Sequence, residues 1–375
     1  LTCHHIVFLE NFMNPKINVL LGTKAEMIKV APVIKELENR GVPFRLIETG
    51  QHGAYLNELR EEFQIREPDV RLGKEKDVDN LFEAFKWFGG LIRILANRKR
   101  VRGQIFSAPS GICLVHGDTP STLIGALLAK RAGFQIAHLE SGLRSKSFLH
   151  PFPEELIRVA VMKLSDVLFA PDEKAVSNLA ALKVKGRIEQ TTTNTGIESL
   201  RENIQEVERA SGPVVATLHR VENLHNKKRL EGFLKLLEKI AQKGQKVLFV
   251  VHQPTKEVLN KKGSLKKIEE AGIEVVPLMQ YKEFIEKLAS APYVITDGGS
   301  IQEETAYMGV PCLLWRRRTE RENGLGQNVV ISEYDEKICE TFLNNFENYR
   351  NENTEKSLNP SSHVVDVLEE IKQTI

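Results

Sequence analysis

Cysteine is scarce: Cys3, Cys113, Cys312 and Cys339 are scattered over 375 residues with no CxxC pair. That spacing supplies neither a zinc-ligand set nor a disulfide framework, so a reducing, cytoplasmic setting is the default expectation. Long apolar runs are lacking too, and nothing approaches the ~20 residues a bilayer-spanning helix needs. Charge of one sign is not in excess. Lysine and arginine number 52 against 50 acidic residues, a formal net of +2, which argues against a general affinity for nucleic acid or anionic membrane. The sequence has no GxGxxG, which disfavours a nicotinamide or flavin cofactor, and no HExxH or His/Cys spacing, so no metal is expected. Residues 1–12 have no basic start and no small-residue cleavage site, and carry Glu10 among apolar neighbours. They are expected to be an extension outside the fold.

What is present is an ordinary globular composition, 41% hydrophobic and 27% charged, at a length that predicts two or three domains of ~150 residues. Short β-branched runs alternate with longer amphipathic stretches from Lys16 to Ile331, the pattern of βαβ units and parallel sheets covered on both faces. Strands are expected at 17–21, 44–48, 112–116, 135–138 and 167–170. A second series follows at 213–218, 246–251, 273–276, 293–296, 311–315 and 328–331. Helical patterns include 25–40, 121–132, 154–164, 227–242 and 301–308, the first of them expected to be kinked or to start late because of Pro32. The alternation pauses between Lys183 and Gly212, around Thr191-Thr192-Thr193-Asn194-Thr195-Gly196. We therefore expect an N-terminal domain over 13–195 and a C-terminal one over 196–359, closed by a polar tail, with a last helix in 360–375 packing back on the first. The basic run Arg98-Lys99-Arg100-Val101-Arg102 reads as a solvated helix end.

Parallel α/β sheets take ligands beyond the carboxyl ends of their strands, where loops vary freely and helix N-termini present unpaired N–H groups. In the first half those ends carry Gly22-Thr23-Lys24-Ala25-Glu26, Thr49-Gly50-Gln51-His52, His116-Gly117-Asp118-Thr119 and His138-Leu139-Glu140-Ser141-Gly142-Leu143-Arg144. A fifth set, Pro151-Phe152-Pro153-Glu154-Glu155 with Arg158, opens a helix. Asp118 alone could cap a helix, and Glu154 and Glu155 alone could complement a helix dipole. Three acidic sites, Asp118, Glu140 and Glu154, at one sheet edge point instead to acid–base chemistry, because gathered carboxylates raise one another's pKa values. His116 and His138 read equally well as core residues buttressing their loops.

The second half ends its strands in His219-Arg220, His252-Gln253-Pro254 and Thr296-Asp297-Gly298-Gly299-Ser300-Ile301-Gln302-Glu303-Glu304. Gly298, Gly299 and Ser300 at a helix start would let backbone N–H groups and a hydroxyl reach phosphate oxygens, with Glu304 one turn on to accept ribose hydroxyls. Arg316-Arg317-Arg318-Thr319-Glu320-Arg321 adds positive charge. His219 and Arg220 are placed to hold a departing diphosphate.

In order and spacing, the HGDT, HLESGLR, PEE, HR, Gln-Glu-Glu and Thr-Glu-Arg segments resemble the non-hydrolysing UDP-N-acetylglucosamine 2-epimerases and their hydrolysing relatives. The resemblance runs from Lys16 to Ile331. It implies a GT-B fold, two Rossmann-like doubly wound α/β domains whose parallel sheets face a central cleft. It also implies interconversion of UDP-N-acetylglucosamine and UDP-N-acetylmannosamine through eliminated UDP and 2-acetamidoglucal, without a cofactor, supplying precursors for surface polysaccharide. The catalytic positions fall on Asp118, Glu140, Glu154 and His219. Substrate-binding positions fall on Lys24, Lys29, Gln51, His52, Arg158, Arg220, His252, Gly298, Gly299, Ser300, Glu304 and Arg321. Lys29, Gln51 and His52 match a region that also takes a second, activating UDP-sugar in bacterial members. The implied partners are the UDP-sugar and a second copy in a homodimer, with no nucleic acid and no membrane.

The chain departs from the family pattern at several points. GTRPE reads Gly22-Thr23-Lys24-Ala25-Glu26, exchanging a planar guanidinium for an ammonium. DSGG reads Asp297-Gly298-Gly299-Ser300, the asparagine of PEExNR is Ile157, and Glu322 replaces a proline. Hydrolysis to N-acetylmannosamine and UDP, a different UDP-sugar, a GT-B glycosyltransferase and an inactive sugar-nucleotide sensor stay open as alternatives.

Overall fold

The computed structural model describes residues 15–73, 81–145, 153–204, 208–351 and 358–375. The proposed extension 1–12, Pro151 and Phe152 of the fifth motif, and 352–357 of the polar tail lie outside them. The described residues form two compact units, one running up to Ser199 and joined by Leu358–Ile375, the other running from Leu200 to 351.

The first unit is a seven-stranded sheet of β1 (Ile17–Leu21), β2 (Phe44–Glu48), β3 (Val70–Arg71), β4 (Ile112–His116), β5 (Gln135–Leu139), β6 (Val167–Ala170) and β7 (Arg187–Gln190). Its order is β3-β2-β1-β4-β5-β6-β7 and every pairing is parallel. The second unit has β8 (Val214–Thr217), β9 (Val247–Val251), β10 (Ile273–Pro277), β11 (Val294–Thr296), β12 (Cys312–Leu314) and β13 (Val329–Ile331). Their order is β10-β9-β8-β11-β12-β13, again all parallel. β1, β4, β8, β9 and β12 are buried along their whole length, as strands covered by helices on both faces must be. Two strands were not anticipated. β3 has only two residues, and β7 reads Arg-Ile-Glu-Gln at the sheet edge with no fully buried position, so neither carries an apolar run.

Strand order reverses between β1 and β4 in one unit and between β8 and β11 in the other. Chains leaving two adjacent strands there go to opposite faces, which opens a crevice at the carboxyl ends. The first unit's helices include α1 (Lys24–Asn39), α2 (Leu81–Ala96), α3 (Pro120–Ala132), α4 (Glu154–Leu164) and, from the chain's end, α6 (Pro360–Thr374), and the second unit's include α5 (Gly299–Met308).

α1 corrects the expectation for Pro32. The helix starts at once, at Lys24, behind a capping box of Thr23 and Glu26, and continues through Pro32 to Asn39. Proline removes the N–H that would have bonded the Ile28 carbonyl, and the Ser199 hydroxyl donates to that carbonyl instead, at 2.5 Å. α6 packs on α1: Arg40 donates to the Ser362 hydroxyl at 2.7 Å and pairs with Asp366 at 2.5 Å. Buried Glu198 accepts from the Ser361 backbone and hydroxyl at 3.0 and 2.7 Å.

Candidate functional site

In the first unit, the loops after β1 and β4 are joined through Glu26, which is 2% exposed. Its carboxyl accepts from the Gly22 and Thr23 N–H groups at 2.5 and 3.0 Å, from the Thr122 hydroxyl at 3.1 Å, and from the Thr119 hydroxyl. Burial pushes its pKa up against the pull of these donors. The loop after β1 is thereby tied to the loop that carries Asp118. Gly22 has to be glycine: a Cβ there would lie 2.0 Å from the Thr49 hydroxyl and 2.2 Å from that of Ser121. Ser121 in turn donates to Gln51 at 2.7 Å, and His52 Nδ1 accepts from the Lys24 N–H at 3.4 Å. The Lys24 ammonium sits 6.0 Å from the Tyr55 ring centre.

Thr119 caps α3, so Asp118 is released from that role and pairs with Arg158. Arg158, on α4, also pairs at 3.0 Å with Glu155, which pairs with Arg144 at 2.5 Å. Glu155 is fully buried, whereas Glu154, the first residue of α4, is partly exposed. Glu140 leaves β5 at φ 58°, in the left-handed region. Such a backbone costs a non-glycine residue about 1–2 kcal/mol and is retained where surroundings over-determine it. Those surroundings are on hand: Lys29 and the Asn194 amide both reach Glu140 Oε2, and His116 Nε2 lies 3.5 Å from it. The Gly196 N–H fixes the Asn194 amide by donating to its Oδ1 at 3.1 Å. His138 is wholly buried, with Nε2 bonded to the Gly117 carbonyl at 2.7 Å and Nδ1 to the Ser141 hydroxyl at 3.1 Å. Burial drives its pKa down to about 4, so it is a neutral strut under the Asp118 loop.

The expectation was that the gathered carboxylates raise one another's pKa values; two of the three have a cation beside them. Asp118, partly exposed, faces Arg158, and Glu140, with its side chain buried, faces Lys29, since a carboxylate taken out of water needs a countercharge. Sequence reasoning placed Glu26, Arg144 and Glu155 in its candidate segments without giving them a role, and missed Asn194 as a site member. Asn194 had been read only as part of a boundary stretch, although a polar run after an edge strand was its visible signal.

In the second unit the centre is Asp297, fully buried at the end of β11. It accepts from the His219 and Arg220 N–H groups at 3.1 and 3.0 Å and from the Asn223 amide at 2.9 Å, and its Oδ1 lies 3.1 Å from His219 Nδ1. Burial pushes its pKa up, but His219 and these donors outweigh burial and hold it well below the usual carboxylate range. The Arg220 guanidinium donates to the Asp297 carbonyl at 3.0 Å and lies 3.5 Å from Glu320. His252 is the N-cap residue of a helix, its ring centre 5.1 Å from that of His219.

α5 starts at Gly299 with Gly298 as an N-cap that has no side chain to satisfy the first N–H groups. Ser300 follows, partly exposed. A Cβ on Gly299 would fall 2.9 Å from Arg321 Nε. Arg321 pairs with Glu303 at 2.6 Å, Glu304 accepts from the Tyr281 hydroxyl at 3.2 Å, and Gln302 donates to the Arg321 and Asn323 carbonyls at 3.2 and 3.0 Å. Arg316 is buried against Glu320 at 2.8 Å, while Arg317 and Arg318 are exposed. Only part of the arginine tract, then, is solvated. No group of three or more His, Cys, Asp or Glu among the described residues could hold a metal ion.

Two parallel sheets, each with polar loops at its point of strand-order reversal, define a protein with two Rossmann-like α/β units, the GT-B architecture. A family model described as UDP-N-acetylglucosamine 2-epimerase matches residues 35–363, and the chain belongs to that family. The UDP-N-acetylglucosamine 2-epimerase of Methanococcus maripaludis is 31% identical over 336 residues, 84% of this chain and 86% of the relative. The UDP-2,3-diacetamido-2,3-dideoxy-D-glucuronate 2-epimerase of Pseudomonas aeruginosa is 30% identical over 344 residues, 87% of this chain and 91% of the relative. A crystal structure of Methanocaldococcus jannaschii UDP-GlcNAc 2-epimerase in complex with UDP-GlcNAc and UDP is similar at TM-score 0.82 and 27% identity, covering 94% of this chain and 99% of that one.

Proposed function

We propose that this chain is a UDP-N-acetylglucosamine 2-epimerase that inverts C2 by eliminating and re-adding UDP. The observation that carries the reading is the separate pairing of two carboxylates, Asp118 with Arg158 and Glu140 with Lys29, around one strand-order reversal. Epimerisation needs one group to take a proton from a face of C2 and another to deliver one to the opposite face. As the C2 proton leaves, a C1–C2 double bond forms and the C1–O bond breaks, its electron pair departing with UDP. Protonation of the resulting 2-acetamidoglucal from the other face then lets the diphosphate oxygen rejoin C1. We assign proton transfer to Asp118, Glu140 and Glu154, with Arg158, Lys29, Lys24, Gln51 and His52 holding the sugar side. The second unit retains UDP between steps: His219, Arg220, His252 and Arg321 meet the diphosphate, the α5 N-terminus at Gly298, Gly299 and Ser300 supplies N–H donors, and Glu304 takes the ribose.

Incubation with UDP-N-acetylglucosamine in deuterated water is the test. Deuterium at C2 and a UDP-N-acetylmannosamine product are expected. Free N-acetylmannosamine with UDP would assign the hydrolysing outcome, and glycosylation of an acceptor without exchange would overturn the epimerase reading. The 30% identity to the diacetamido-glucuronate 2-epimerase supports a second reading, the same reaction on another UDP-sugar. It is tested by comparing kcat/KM for the two substrates.

A further inference from the structure

Glu140 is held in ways that its ion pair with Lys29 does not account for by itself. Its backbone stays in the left-handed region at φ 58°, a strained state that clusters at functional positions where the surroundings enforce it. One of its oxygens, Oε2, takes both the Lys29 ammonium and the Asn194 amide, with His116 Nε2 3.5 Å away. The side chains of Lys29 and Glu140 are each 7% exposed and Asn194 is buried. In a setting from which water is largely excluded, a fixed donor counts for more than it would in solution.

The Asn194 amide is fixed in direction. The Gly196 N–H donates to its Oδ1 at 3.1 Å, which commits the NH2 group to Glu140. The segment around it is fastened to the turn of α1 that carries Lys29. Thr195 donates its hydroxyl to the Lys29 carbonyl, Ser199 donates to the Ile28 carbonyl at 2.5 Å, and a Cβ on Gly196 would lie 3.0 Å from Lys29 Cγ. Lys29 and Asn194 therefore keep one register over Glu140, but they act differently. An ammonium is a compact charge on a flexible stem, and its pull fades once the carboxylate takes up a proton. An amide N–H has a set direction and can donate to either form of a carboxyl group.

We propose, on the epimerase reading above, that Asn194 is a positioning residue: it holds Glu140 Oε2 through both protonation states and leaves proton transfer to Oε1. When the C2 proton passes to Oε1, the C2–H bonding pair becomes the C1–C2 double bond; the return step reverses both. Besides Lys29 on α1, the titratable groups close to Glu140 among the described residues are His116 on β4 and His138 on β5, the latter kept neutral by burial.

The test is epimerisation of UDP-N-acetylglucosamine by the full chain across pH, with UDP affinity by calorimetry. Asn194→Ala should lower kcat by about a hundredfold, while KM and UDP affinity stay within about twofold. Asn194→Asp, of the same size but acidic, should move the rise of kcat to higher pH by about one unit, since a second carboxylate beside Glu140 favours its protonated form. It also keeps an oxygen for the Gly196 N–H, so it decides the matter if the alanine variant fails to fold. In Glu140→Gln, adding Asn194→Ala should cost no further turnover, because Asn194 acts only through Glu140. Unchanged kcat in Asn194→Ala, an unmoved pH profile in Asn194→Asp, or a full further loss in the double variant overturns the positioning role while the epimerase reading stands. A wild-type chain that neither exchanges deuterium at C2 nor epimerises overturns that reading, and the positioning role with it.

Discussion

The two units share a winding and differ in how their strand ends handle charge. In the first, several carboxylates pair with side-chain cations: Glu140 with Lys29, Glu155 with Arg144, and Asp118 and Glu155 with a shared Arg158. In the second, the fully buried carboxylate of Asp297 gathers backbone N–H groups and the Asn223 amide. Side-chain pairs can exchange partners when a substrate arrives, whereas backbone donors cannot leave. The first arrangement suits proton movement and the second suits a fixed cradle.

That contrast can be broken most severely at the first unit's acids. Glu140→Gln and Asp118→Asn should each lower turnover by about a thousandfold, within the range for a removed general acid or base, while UDP affinity by calorimetry stays within about twofold. Equal losses in turnover and affinity would make these residues structural and erase the distinction. The converse change is Asp297→Asn, which turns an amide toward donors. It should cost about 3 kcal/mol of stability and weaken UDP binding and turnover together, as read from chemical denaturation and calorimetry.

A smaller effect sharpens the comparison through pH. Buried His138 has its pKa held down to about 4 from an ordinary 6.5, so the unfolded chain takes up its proton first and stability falls as pH drops from 6.5 towards 4. Above 6.5 the group contributes no slope. The stability advantage of the native protein over His138→Asn should therefore narrow across that window in denaturant titrations. Asp297 is shifted in the same direction, below its ordinary 3.8, but here the charged form is the one the fold favours. Its contribution is complete above 3.8 and declines only at more acidic pH.

Much of this was legible along the chain. Buried parallel strands need continuous apolar runs, so eleven of the strands were visible as such, while β3 and the polar edge strand β7 left no comparable signal. Asp118 and Glu140 were legible because they directly follow β4 and β5. Asn194 was not, since its partner Glu140 is 54 residues away. The unbroken course of α1 through Pro32 was equally hidden, because the Ser199 hydroxyl that takes up the freed Ile28 carbonyl comes from 171 residues further along the chain.

Local chemistry, then, determined the two α/β units, the strand ends that carry polar residues and the family to which they point, since periodicity and motif spacing are properties of neighbours in sequence. Tertiary structure alone decided which cation faces which carboxylate, that His138 is a neutral strut, and that α2 leaves Phe88 and Ile92 exposed. Countercharge and burial depend on residues that meet only after the sheet has assembled, and a chain read in order holds no measure of that distance.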